Sequence, residues 1–184
     1  MGSENDEIIT YHAKKFFYPD MDIRVQLGVN SRKEFPGSKY SGPRIRDYWN
    51  ISLLLKGSSE ITINGAKICY NPGMIFLLRP EDVFSQKLPA RIDLLQVLFH
   101  RKFLNQLGLD FGEEDFLAGI LAEKYKAHPL NFPIARRVFP STPEIRHLMR
   151  RMLWNFEHQS RETDLLLRLN LASLLLLLNV LNLV

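Results

Sequence analysis

At 184 residues with one cysteine, Cys69, the chain is sized for one domain, or one domain with a helical appendage, and cannot form an intramolecular disulfide. The net charge of +4 is mildly basic. Its lysines and arginines are scattered, which argues against a nucleic-acid reader built on a block of charge. The opening MGSENDEIITYH is acidic and polar, so it is no secretory signal, and a single cysteine fits a reducing, cytoplasmic setting.

Residues 1–19 read as an N-terminal arm. Strand-like alternation begins at Asp22 to Val29. Residues 30–43, NSRKEFPGSKYSGP, hold two prolines, two glycines and three basic residues, and they read as a long exposed loop. YWNISLLL (48–55) is rich in aromatic and branched residues and predicts a strand, turned back by Lys56-Gly57-Ser58-Ser59. Asn64-Gly65 predicts a two-residue hairpin, because both central positions of a type I′ turn need positive φ. Residues 60–63 are therefore expected to pair antiparallel with 66–70. Further strands are expected at 74–78, 83–87 and 91–100. Short strands at this spacing predict a β-sandwich or small barrel over residues 20–100. The lack of helix-sized spacers argues against a parallel sheet.

After residue 100 the period changes. Residues 101–140 read as short helices and an irregular connection. Phe103, Leu104 and Leu107 suggest one helix stopped by Gly108, and Phe116, Leu117, Ile120 and Leu121 a second. Residues 127–140, with three prolines, read as irregular. Ser141 and Glu144 then fit a capping box with Pro143 in the first turn. Ile145, Leu148, Met149, Met152, Leu153 and Phe156 follow at helical spacing. Arg146, His147, Arg150 and Arg151 fall on the other face, which reads as solvated rather than as a phosphate-binding surface. A last helix is expected from about Thr163, so residues 141–184 form a helical hairpin.

The leucine-rich tail is not a membrane span: sixteen residues follow Arg168, interrupted by Asn170, Asn179 and Asn182, against about 20 apolar residues required. Two stripes run along it. Leu166, Leu169, Ser173, Leu176, Val180 and Leu183 make one; Leu167, Leu171, Leu174, Leu178 and Leu181 make the other. One stripe can pack on the chain's own body. The other is then left bare and calls for a partner, with a homodimer through Leu166, Leu169, Ser173, Leu176 and Val180 as the expectation. An alternative is that both stripes are covered by residues beyond Val184.

Several segments carry a family resemblance: RIRDYWNISLLLKG, ITINGAKICYNPGMIFLLRPEDVF, the strand ending in Phe99, RKFLNQL, and PEIRHLMRRMLWNFE with the leucine helix. Together they resemble the cupin-type sensor domain at the N-terminus of AraC-type transcription regulators, over roughly residues 20–184. The resemblance implies a mainly β fold with C-terminal helices, in which a cupin-like antiparallel barrel (a jelly roll) precedes a helix pair. It implies a cytoplasmic, non-catalytic effector sensor and dimerisation domain. DNA would be reached only through a helix-turn-helix module that this sequence does not include.

In metal-binding cupins the barrel carries His and Glu ligands. The matching places here are Arg44, Arg46, Asn50 and Phe84. None matches the His and Glu pattern, and neither arginine nor phenylalanine ligates a cation, so no metal and no cofactor are expected. If those places face inward, Arg44, Arg46, Tyr48, Asn50 and Ser52 share one face. A ligand site at Arg44, Arg46, Tyr48 and Asn50 would suit a sugar-like or anionic small molecule. Equally, Arg44 and Arg46 could lie at the strand mouth and reach solvent, or pair with Asp or Glu. Phe84 reads as core, and Trp49, on the opposite parity, as packed under the helices. A second reading is a metal-free cupin that binds or isomerises a sugar; isomerisation needs an acid–base pair, and the inward row shows none. A third is a structural interaction protein with an inert barrel.

Overall fold

The computed structural model describes residues 8–12, 17, 21–30, 42–87, 92–100, 103 and 138–182. Ten strands and two long helices fall within them: β1 (Ile9–Tyr11), β2 (Ile23–Asn30), β3 (Arg44–Arg46), β4 (Trp49–Lys56), β5 (Ser59–Ile63), β6 (Ala66–Tyr70), β7 (Met74–Leu78), β8 (Phe84–Lys87), β9 (Ile92–Phe99), β10 (Val138–Pro140), α1 (Pro143–Glu157) and α2 (Thr163–Asn182). The strands form two five-stranded sheets, ordered β1-β3-β8-β5-β6 and β10-β7-β4-β9-β2. Every pairing is antiparallel except β1 with β3, which run parallel.

The Asn64-Gly65 turn behaves as its chemistry requires. Both residues have positive φ, 49° and 87°, and Ser59 to Ile63 pair with Tyr70 to Ala66. Asn64 does more than turn the chain. Its Nδ2 donates to Asp82 Oδ1 and its Oδ1 accepts from the Val83 amide, both at 2.8 Å. Asp82 also accepts from the Arg79 amide at 2.7 Å. The hairpin tip is thereby locked to the turn that leads into β8.

Strand β4 is buried from Trp49 to Leu54 without alternation, and parity explains why. Trp49, Ile51 and Leu53 belong to a cluster with α1 and α2, which also holds Val25, Ile75, Leu95, Val97, Phe99, Ile145, Met149 and Leu171. Leu54, two residues along the other face from Ser52, belongs to a separate cluster inside the barrel with Ile61, Ile63, Tyr70, Phe76, Leu78, Phe84 and Leu94. One sheet thus has two buried faces: one packs on helices, the other on the opposite sheet. Trp49 stacks on Phe99 at 5.9 Å, placing it beneath the helices as its parity predicts. Tyr70 stitches the two sheets, its hydroxyl donating to the Ser52 carbonyl at 2.8 Å.

Two expectations need correcting. Residues 127–140 are not wholly irregular: Val138 to Pro140 pair with Phe76 to Met74 as an edge strand. A three-residue strand whose partner lies some sixty positions upstream leaves no local periodicity to read. The cap of α1 is Thr142, not Ser141: Thr142 Oγ1 accepts from the Ile145 amide at 3.3 Å. Ser141 instead donates its hydroxyl to the Gly73 carbonyl at 2.6 Å, clipping the helix start to the β6–β7 turn. Thr142→Ala is accordingly expected to cost about 0.5–2 kcal/mol of stability, read as a lower urea midpoint with unchanged slope. The short helices expected near 103–108 and 116–121 lie outside the described residues, apart from a helical Phe103.

On α2 the leucine stripes separate cleanly. Leu167, Leu171, Leu174 and Leu178 are fully buried, whereas Leu166, Leu169, Leu176 and Val180 are exposed. Leu181, placed by spacing on the buried stripe, is exposed near the helix end. Asn170 is no defect in the seam: it is buried and accepts a hydrogen bond from Arg151 on α1. Arg168 reaches Asp164 at 2.7 Å and Asp22 at 3.2 Å, tying α2 to the start of β2. No helix among the described residues is long and apolar enough to cross a membrane.

Candidate functional site

The interior of the barrel has two unlike halves. One is the dry cluster around Ile61, Tyr70 and Phe76. The other is a half-open cavity of about 120 Å³ lined by Tyr11, Arg44, Arg46, Tyr48, Asn50 and Gln86, with Gln26, Leu94, Gln96 and Leu98 completing the wall. Arg44, Arg46, Tyr48 and Asn50, the four residues singled out by strand parity, therefore line one space. Ser52 lies beneath it and is fully buried.

Each wall follows from strand register. Arg44 on β3 pairs with Phe84 on β8, which places both guanidiniums over the Phe84 ring: Arg44 Cζ lies 5.2 Å and Arg46 Cζ 5.1 Å from its centroid. Phe84 is buried core, as expected, and also the aromatic platform of the site. Arg46 lies 5.8 Å from the Tyr11 ring as well. Across the cavity, Asn50, Ser52, Gln96 and Gln26 sit on adjacent strands of the other sheet. There Ser52 is opposite Gln96, and Gln96 is opposite Gln26.

These side chains form a directional hydrogen-bond chain. Gln26 Nε2 donates to Gln96 Oε1 at 3.0 Å, Gln96 Nε2 to Ser52 Oγ at 3.2 Å, and Ser52 Oγ to Asn50 Oδ1 at 3.0 Å. Such a chain fixes the rotamer of every member. Asn50 is thus held by its oxygen, which accepts from Ser52.

The electrostatics are cationic. Arg44 is 9% exposed. Burial first, and then the neighbouring Arg46 charge, hold its pKa down to about 10, which still leaves it protonated at neutral pH; Tyr11 and Tyr48 act in the opposite sense. Burial pushes the Tyr48 phenol up, with Arg46 opposing the shift, so Tyr48 is neutral and can donate. Two buried polar atoms of the described lining, Arg44 Nε and Gln86 Nε2, have no hydrogen-bond partner among the described residues.

Among the described residues, no acidic side chain pairs with Arg44 or Arg46. The ion pairs among the described residues are His12–Asp47, Arg79–Asp82 and Arg168 with Asp22 and Asp164. Asp47, next to Arg46 in sequence, turns to His12 at 3.2 Å. Among the described residues no three His, Cys, Asp or Glu side chains group as a metal site. The four cupin ligand places do converge in space, but as two guanidiniums, an amide and a phenyl ring.

Sequence reasoning missed Tyr11, Gln26, Gln86 and Gln96. Gln96 carried a signal: it is the lone amide in the apolar run LLQVLF. Tyr11 carried none, because β1 joins the sheet only by parallel pairing with β3, Ile9 to Tyr11 alongside Arg44 to Arg46. A second, shallower depression between α1 and α2, lined by Glu144, His147, Arg151, Ser173 and Leu177, opens beside the bare leucines and lacks the buried donors of the barrel.

A jelly-roll barrel with a donor-rich interior, one sheet backed by an antiparallel helix pair, defines a cupin-like ligand-binding domain. A family model described as AraC-like ligand binding domain matches residues 30–175, and the chain belongs to that family. Among solved structures, an apo variant of ToxT from Vibrio cholerae aligns with a TM-score of 0.53 at 11% identity, covering 84% of this chain and 54% of that one. A cupin superfamily protein from Desulfitobacterium hafniense aligns at 0.34 and 16% identity, over 46% of this chain and 72% of its own. The EutQ protein of Clostridium difficile aligns at 0.34 and 12%, over 42% and 56%. The chain spans just over half of the ToxT and EutQ chains. At these identities the likeness is one of fold. No curated protein matches the chain.

Proposed function

We propose that this chain is the effector-sensing and dimerisation half of a cytoplasmic AraC-type transcription regulator. It binds a small sugar-like or anionic molecule in the barrel and carries out no catalysis. One observation carries the ligand reading: the barrel holds a cavity in which Arg44 Nε and Gln86 Nε2, both buried, have no acceptor among the described residues. A stable fold satisfies its buried donors, and an unsatisfied one costs about 1–3 kcal/mol. Two such donors in one cavity mark where a second molecule completes the bonding. Family membership supports the regulatory role. The exposed row Leu166, Leu169, Ser173, Leu176 and Val180 supports a homodimer through α2, which would set two DNA-binding modules on two half-sites.

Among the described residues no carboxylate or histidine lines the cavity, and a general base of the kind sugar isomerisation needs is not among the side chains on which this reading rests. The test is thermal unfolding of the 184-residue chain against panels of neutral monosaccharides and small organic acids. At least one class should raise Tm, and Asn50→Leu should abolish the response. A flat response to both panels would remove the ligand reading and leave an inert barrel.

A further inference from the structure

We propose that the barrel cavity is an anion site, built for a small carboxylate on a short stem rather than for a neutral sugar. This rests on the reading that the effector binds in this cavity, and it decides between the two ligand classes left open above.

Three independent observations agree. The first is charge balance. Arg44 is nine-tenths buried, it shares the Phe84 face with Arg46, and no acidic side chain among the described residues pairs with either guanidinium. A buried cation beside a like charge is costly unless an anion joins it. The Phe84 ring face offsets part of that cost, and a carboxylate offsets it with paired N–H···O bonds.

The second is donor balance. Of the four buried side-chain nitrogens without a hydrogen-bond partner among the described residues, Arg24 Nε and Trp49 Nε1 lie elsewhere, and the two that line the cavity, Arg44 Nε and Gln86 Nε2, are both donors. The amide chain from Gln26 ends on Asn50 Oδ1, so the oxygen of this lining residue is already engaged as an acceptor. An ionised carboxylate only accepts, so it satisfies these groups without bringing a proton that needs its own acceptor. A sugar hydroxyl always brings one.

The third is size and lining. The cavity of about 120 Å³ corresponds to about four liquid waters at ~30 Å³ each, well under the ~300–1,000 Å³ of sites for larger ligands. Leu94 and Leu98 flank Gln96 on the wall opposite the arginines. They offer apolar surface to a short stem, which inorganic phosphate lacks.

The experiment is thermal unfolding of the 184-residue chain at neutral pH, with ionic strength held constant by sodium chloride. The probes are millimolar propionate, lactate, propionamide, inorganic phosphate and glucose. Propionate or lactate should raise Tm by about 3 °C or more, and propionamide and glucose should not. Arg44→Met should melt at or above the wild-type temperature without ligand, since an apolar side chain replaces an unpaired buried charge, and should lose the carboxylate response. Arg46→Met should lose it too, which keeps the test valid if Arg44→Met does not fold. Equal shifts from propionamide or glucose would overturn the anion assignment while leaving the ligand-binding reading standing. A shift from phosphate alone would overturn the carboxylate assignment. No shift from any probe would overturn this proposal, and a flat response to the wider panels above would remove the reading beneath it.

Discussion

Leu174→Ala is expected to lower the unfolding free energy by about 2–5 kcal/mol. Leu174 is fully buried on α2 with Leu167, Leu171 and Leu178. It shares one cluster with Ile145, Met149 and Met152 of α1 and with Val97 and Phe99 of the sheet. Truncation removes apolar contacts on both sides of the helix, and neither the sheet nor α1 can collapse into the gap without disturbing the other. Set against a total stability of roughly 5–15 kcal/mol for a domain, this is a large fraction. Urea unfolding followed by circular dichroism reads it as a drop in midpoint with little change in slope. A loss under about 0.5 kcal/mol, the range of surface substitutions, would mean that α2 does not seal the sheet.

The opposite outcome is expected one stripe over. Leu169→Lys combined with Leu176→Lys should leave the chain folded and turn a dimer into a monomer. Leu169 is 57% and Leu176 46% exposed, and Val180 is 59% exposed, so lysine there meets water and breaks no internal packing. In a two-fold contact between copies of α2, a helix about 30 Å long at 1.5 Å per residue, the same positions face each other. Each buried leucine is worth about 1.5–3 kcal/mol, and a lysine in its place brings a desolvated charge. Multi-angle light scattering at micromolar concentration should report a dimer for the unmodified chain and a monomer for the double variant, with matching circular dichroism. A monomeric unmodified chain would remove the dimer from this account, and a variant that stays dimeric would place the contact elsewhere.

The contrast between these substitutions follows from helical spacing, because 3.6 residues per turn divides the leucines before any coordinate is known. Strand parity worked in the same way. Trp49, Ile51 and Leu53 against Asn50 and Ser52 separates a helix-facing row from a polar row in the barrel, and Arg44, Arg46 and Tyr48 extend the polar row to the cavity. Local chemistry was also legible at Asn64-Gly65. What escaped was set by long-range pairing. β10 and β1 are three-residue strands that exist only through distant partners, so neither Tyr11 at the cavity nor the extra edge at Val138 had a pattern to announce it. The α1 cap escaped for another reason. Ser141 and Thr142 are both good caps, and the choice was made by a Gly73 carbonyl that takes the Ser141 hydroxyl.

The central claim is that the Arg44–Arg46 cavity is where this chain takes its effector. It is tested most directly by a crystal structure with the compound that stabilises the chain most in thermal unfolding. The predicted result is ligand density inside the barrel, with its acceptor atoms on Arg44, Arg46, Gln86 and the Asn50 amide and its stem against Leu94 and Leu98. Density seated instead in the depression between α1 and α2, beside His147 and Arg151, with the barrel cavity unchanged, would contradict it.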